Sequence, residues 1–170
     1  MKPQKAESKV SPAIRIKLAA PDTVQREMQR IGRAIAERAH ELFAARYGEH
    51  GHDWEDWFQA ESELLRPVSI ALSESPNHIS IRVNIDGFSV NEVKVGIEAK
   101  NVTIVAKKDE RISRSGEGRN SIPNQILRSI ALTSEIDVAA ATIELESGVL
   151  KLELPKVTAI GAKAAGAGTV

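Results

Sequence analysis

Apolar residues in this chain recur every three or four positions as far as Pro67 and every second position beyond it, a change of period that no single kind of secondary structure can satisfy. Before the proline, Val24, Met28, Ile31, Ile35, Ala39, Leu42 and Phe43 form a helical stripe. Asp22 and Thr23, after Pro21, are the expected N-caps, and Gly48 is the expected stop. A second helix is predicted from Asp53, with Asp56 three residues later in a capping-box-like arrangement, and Pro67 forbids its continuation. Two helices around a turn at 48–51 make an αα-hairpin over 22–66, whose short apolar faces need something else to pack on.

Beyond Pro67 the pattern is that of strands. Ile79, Ile81, Val83 and Ile85 share one face before Asp86-Gly87 breaks the run. Val93, Val95 and Ile97 repeat the alternation, as do Val102, Ile104 and Ala106, then Ala141, Ile143 and Leu145, then Leu150, Leu152 and Leu154. With 68–74 and 126–132 this predicts about seven short strands and no helix between them, hence an antiparallel, immunoglobulin-like β-sandwich over 67–157 rather than a parallel βαβ sheet. Residues 109–124 read as a long polar loop, and such a loop inside a compact domain suggests a task of its own.

The two ends read differently. Residues 1–21 are expected to be a flexible basic arm, with Lys2, Lys5, Lys9, Arg15 and Lys17 against Glu7. Within it, Ala13-Ile14-Arg15-Ile16-Lys17-Leu18 alternates like a segment able to add to a sheet edge. Residues 158–170 are an Ala/Gly-rich tail, expected to be flexible.

Composition narrows the functions. The 170 residues hold 23 Lys+Arg and 23 Asp+Glu, which argues against bulk electrostatic binding to nucleic acid or an anionic membrane. The hairpin has an acidic excess that repels phosphate, so a helix-turn-helix DNA reader is rejected. No apolar run approaches the roughly 20 residues that span a bilayer. The N-terminus lacks the apolar stretch of a secretory signal, and the chain has no cysteine, so disulfides and thiolate chemistry are excluded and a reducing cytoplasm is expected.

Candidate chemistry is sparse. There is no Walker loop, HExxH or Gly-x-Ser-x-Gly elbow, and Gly116-Glu117-Gly118 is a lone Gly-x-Gly. His40, His50 and His52 offer imidazoles near one turn, but the spacing matches no established ligand signature, and a solvated turn is the expected reading. No catalytic residue, cofactor or metal is expected. Both tryptophans, Trp54 and Trp57, lie with Phe58 on the second helix and form a candidate contact surface.

The run from Ala141 through Glu146-Ser147-Gly148-Val149-Leu150-Lys151-Leu152-Glu153-Leu154-Pro155-Lys156 resembles the closing signature of the small heat-shock proteins, and the strand ending in Asp86-Gly87-Phe88 is similar to another family strand, with Asp86 where proline is usual. Gly148, Val149, Leu150, Leu152, Leu154 and Pro155 carry the likeness. Around 25–66, the run Ile35-Ala36-Glu37-Arg38-Ala39-His40-Glu41-Leu42 with Gly48, Gly51, Asp53 and Asp56-Trp57 resembles a bacterial helical domain of unknown function.

The first resemblance implies an α-crystallin sandwich and an ATP-independent chaperone, a holdase that self-associates at least to a dimer and holds partly unfolded clients. Its driving force would be apolar surface, worth about 25 cal/mol per Å² removed from water. The resemblance also implies a groove bordered by the strands of Val93, Val95 and Ile97 and of Ile143 and Leu145, which in the family receives an Ile-x-Ile/Val segment from another chain's tail. Alternation leaves open which of these residues are groove lining and which are ordinary core. Val157-Thr158-Ala159-Ile160 lacks the Ile-x-Ile spacing, whereas Ile14-Arg15-Ile16 has it, so Ile14 and Ile16 are candidate groove ligands in cis or in trans. Family loops carry an extra strand that pairs with a partner's first strand; the equivalent Arg111-Ile112-Ser113-Arg114-Ser115-Gly116 has little strand propensity, so the hairpin aromatics are candidates to bury one another instead. The alternative to a holdase is an interaction scaffold that recognises one partner through the Trp-bearing hairpin.

Overall fold

A computed structural model of the chain describes residues 13–108 and 123–157. The N-terminal stretch before 13, the loop stretch 111–116 read as having little strand propensity, and the tail from 158 lie outside the described residues.

All seven strands read from the alternating pattern form: β2 (Ile70–Glu74), β3 (His78–Asn84), β4 (Val93–Glu98), β5 (Asn101–Lys107), β6 (Gln125–Ala131), β7 (Thr142–Glu146) and β8 (Val149–Pro155). An eighth, the two-residue β1 (Ile14–Arg15), lies within the segment read as an arm. The strands make two antiparallel sheets, one in the order β1-β7-β8-β3-β2 and one in the order β4-β5-β6. Their facing sides share one core, built from Ile79, Ile81 and Val83 of β3, Leu150, Leu152 and Leu154 of β8, and Val95, Ile104 and Ile126 from the opposite sheet. The fold is therefore a mainly antiparallel β-sandwich preceded by two helices.

The ribbon β7–β8 is closed by Ser147 and Gly148, both with positive φ (49° and 76°), so the two-residue turn follows the right-handed strand twist. Pro155 stands at the end of β8, beyond the last β7 partner at Glu153, where a missing N–H costs no ladder bond.

The helices α1 (Pro21–Ala45) and α2 (Asp53–Leu64) form the hairpin. The caps differ from expectation. Pro21 itself opens α1, with Ala20 as N-cap, because its fixed φ suits the first helical position; Asp22 and Thr23 therefore fall inside the first turn. His52 precedes α2 without a side-chain cap, and Asp56 is buried against the Arg46 guanidinium instead of reaching back to the helix start. Arg38 adds a second tie between the helices, 2.6 Å from Glu63.

The hairpin finds the packing partner it needs on the outer face of β4-β5-β6. Val24, Ile31, Ile35 and Ala60 bury against Val105, with Leu127 packed at the margin. Each fully buried Val or Ile contributes about 1.5–3 kcal/mol. As a result β5 is covered on both faces from Val102 to Ala106. Glu27 reaches Lys94 of β4 at 3.4 Å and Arg30 at 2.8 Å; chiefly the Arg30 hydrogen bond, with Lys94 adding, holds its carboxyl below the ordinary value.

Candidate functional site

The open side of the sandwich lies between β4, an edge of one sheet, and β7 near the edge of the other. The chain from Ile14 to Ala19 bridges these two strands. Ile14 pairs with Leu145 and Arg15 with Glu144, the Ile16 amide donates to the Ile143 carbonyl at 2.9 Å, and the Ala19 amide donates to the Val95 carbonyl at 2.9 Å. Arg15 Nε lies 3.6 Å from Glu144 Oε1. Ile16 packs against the sandwich core while Ile14 stays 49% exposed.

Strand alternation explains how β4 and β7 are used. Val93, Val95, Ile97, Ile143 and Leu145 all turn their side chains into the shared core, against which Ile16 packs. The backbone hydrogen bonds that hold the bridging segment go to the carbonyls of Val95 and Ile143. Sequence reasoning found the strands; it did not identify the other wall. Next to Ala19 a cavity of about 460 Å³ opens between Leu18, Val24, Met28, Gly96, Ile97 and Val138. Gly96, interrupting an alternating strand, was the available signal for a close approach there.

The other predicted residues lie elsewhere. Leu150, Leu152 and Leu154 are fully buried, Val149 and Pro155 partly so, and Gly148 turns the ribbon against Asp86. Trp54 and Phe58 project from α2 at 76% and 62% exposure, and Trp57 at 37%. His40 and His50 set their rings beside Phe43, with centroids at 6.2 and 5.5 Å, and His52 Nδ1 lies 2.7 Å from Glu55. Among the described residues, no three His, Cys, Asp or Glu groups converge to hold a metal. Among the described residues, no helix is long and apolar enough to cross a membrane.

At the far edge β2 is exposed along its whole length, with Ile70 and Leu72 among its side chains. Its end is fastened by Glu74, which accepts from Lys156 Nζ at 2.6 Å and from Thr133 at 3.1 Å. These bonds, the Lys156 one foremost, lower the Glu74 pKa.

Residues 71–165 match the model of the Hsp20/alpha crystallin family, and residues 32–66 match a family of unknown function, DUF2934. The chain is similar to the mitochondrial small heat shock protein hspI of Dictyostelium discoideum, 26% identical over 111 residues, a stretch that is 61% of this chain and 49% of that protein. It is also similar to a 17.7 kDa class II heat shock protein of Arabidopsis thaliana, 27% identical over 105 residues, 59% of this chain and 67% of that one. The chain thus spans about half the length of the first relative. Among solved structures it resembles heat shock protein 16.0 from Schizosaccharomyces pombe, with 26% identity, a TM-score of 0.46, and coverage of 53% of this chain and 86% of that one. A two-sheet antiparallel sandwich closed by the Ser147-Gly148 turn, in a stretch that the family model covers, leads to one conclusion: this chain belongs to the Hsp20/alpha-crystallin family.

Proposed function

We propose that the chain is an ATP-independent holdase, which keeps partly unfolded proteins soluble by offering them apolar surface, and that it acts in the cytoplasm without catalysing a reaction. The observation that carries this reading is the groove between β4 and β7, apolar beneath and covered by only a short bridging segment with a two-residue strand. Contact by burial is non-directional, which suits binding of many clients rather than one. Family membership supports the same reading. Size-exclusion chromatography after heating a labile client with the chain, without nucleotide, tests it: a soluble complex containing both is expected, and the chain eluting alone over a pelleted client refutes it.

The segment holding Ile14 and Ile16 is proposed as the groove's own ligand, taking the place that a neighbouring chain's tail takes in the family. Its backbone bonds to Ile143 and Val95 and the packing of Ile16 support this. Self-association is proposed at the exposed β2 edge, whose Ile70 and Leu72 favour pairing with a second copy.

One observation favours a second reading, a scaffold that recognises a single partner: the exposure of Trp54 and Phe58, stacked with centroids 6.3 Å apart on a helix outside the sandwich.

A further inference from the structure

Helix α2 buries only Asp56 and Ala60, yet it carries three aromatic side chains on its other faces. Large exposed apolar groups gathered on one element of a folded chain mark a contact surface. Trp54 and Phe58, one turn apart, already lie in a stacked arrangement with an interplanar angle of 29°, so little ordering remains to be done on binding. Beyond Phe58 the surface continues into a cavity of about 340 Å³, walled by Phe58, Leu65, Pro67 and Leu127, large enough for one or two apolar side chains.

Charge identifies the occupant. The helix bears Asp53, Glu55, Asp56, Glu61 and Glu63 and no basic residue. Three of these are engaged: Asp56 by Arg46, Glu63 by Arg38 and Glu55 by His52. Asp53 and Glu61 make no ion pair or side-chain hydrogen bond among the described residues, and they stand one helical turn on either side of Trp57. Two unpaired carboxylates flanking an indole form a receptor for a cation, which gains from the ring face and from a charge-assisted hydrogen bond together.

The same charges disfavour other occupants. A second copy docked face to face would bring like carboxylates together, and an anionic lipid surface or a nucleic acid would be repelled. We propose that this face of α2 binds an extended cationic segment of a partner protein, with Lys or Arg side chains against Trp57, Asp53 and Glu61 and an apolar side chain in the cavity beyond Phe58. Arg66 and Arg128 line that cavity together with Glu61, and the two guanidinium groups fix the direction, since they favour an apolar side chain over a cation inside it.

This inference stands apart from the holdase reading, and its test leaves that reading untouched. Isothermal titration of the full chain uses a ten-residue peptide alternating lysine with leucine and a counterpart with glutamate in place of lysine. The lysine peptide is expected to bind at least tenfold more tightly, with affinity falling as salt rises. Asp53→Asn with Glu61→Gln is expected to weaken binding about fivefold or more, and Trp54→Ser with Phe58→Ser to abolish it, with unfolding temperatures unchanged because Asp53, Trp54 and Phe58 are exposed and Glu61→Gln keeps the shape of a half-buried side chain. Equal affinity for both peptides, or an unaffected Asp53→Asn/Glu61→Gln variant, overturns the proposal. So does a Trp54→Ser/Phe58→Ser variant that keeps peptide affinity but loses oligomer mass, which would make this a face between copies.

Discussion

A β-carbon placed on Gly96 would stand 3.0 Å from Cγ2 of Val24, so strand β4 and helix α1 touch at the one position of the strand that carries no side chain. The hairpin is seated on the sandwich by that contact and by the Val24, Ile31, Ile35 and Val105 cluster. A larger group at Gly96 requires the Val24 side chain, and with it the seat of α1, to give way. Gly96→Val is expected to destabilise the full chain by about 1–3 kcal/mol, the usual range for overpacking. Thermal unfolding measures the loss, and faster hydrogen exchange at Val105 localises it to the hairpin's seat. An unchanged melting temperature would mean that this contact does not hold the hairpin.

Gly148 is constrained twice. Its φ of 76° suits glycine, and a β-carbon there would fall 2.9 Å from Asp86 Oδ1 and 3.1 Å from Asp86 Cα. Gly148→Ala is expected to cost about 1–3 kcal/mol, part of it strain and part of it collision. Adding Asp86→Gly should recover the side-chain share of the collision and leave the backbone strain, a non-additivity that a double-mutant cycle in urea reads directly. Strict additivity would show that Asp86 plays no part.

The alternating pattern made β3, β4, β7 and β8 legible, because each has one face toward the core and one toward solvent or polar neighbours. The exception is informative. In Val102-Thr103-Ile104-Val105-Ala106 only the residues facing the opposite sheet fit the alternation, while Val105 is buried under the hairpin. A continuous apolar run marks a strand covered on both sides, and together with Gly96 it was the available signal for where the helices sit. The caps misled because Pro21 opens a helix as readily as it precedes one, and because Asp56 serves an ion pair made by Arg46, ten residues earlier. The groove was legible only through family resemblance. That its hydrogen bonds go to the backbone carbonyls of Val95 and Ile143 depends on sheet pairing, which no local pattern records.

Acid should loosen the β2 end. The Glu74 carboxyl, held below its ordinary value of 4.5 mainly by the Lys156 hydrogen bond, favours the folded state above that value. A lowered pKa gives stability that is fully present at higher pH and lost as pH falls through the folded-state pKa. Urea midpoints measured downward from pH 6 should therefore decline below about pH 4.5 in the native chain. Glu74→Gln should be less stable at neutral pH, because Lys156 is buried and loses its partner, and its midpoints should fall less steeply in acid. Parallel curves for the two proteins would refute the assignment.

The bridging segment gives a further prediction. Ile14→Ser with Ile16→Ser removes its apolar anchors while leaving the backbone bonds to Ile143 and Val95 possible. Burial of Ile16 is only partial, so the stability loss should be about 1 kcal/mol. The Ile97 methyl resonances should move, and a peptide with Ile-x-Ile spacing should bind the variant more tightly than the native chain, since its competitor is weakened. Unmoved resonances together with unchanged peptide affinity would remove the segment from the groove.

The central claim, that this sandwich holds unfolding proteins through apolar surface without nucleotide, is tested most directly by light scattering from a heat-labile client at equimolar chain. The native chain should keep scattering low to the same degree with and without ATP, and Trp54→Ser/Phe58→Ser should do so equally well. A client that aggregates in the chain's presence on the same time course as in its absence would contradict the account.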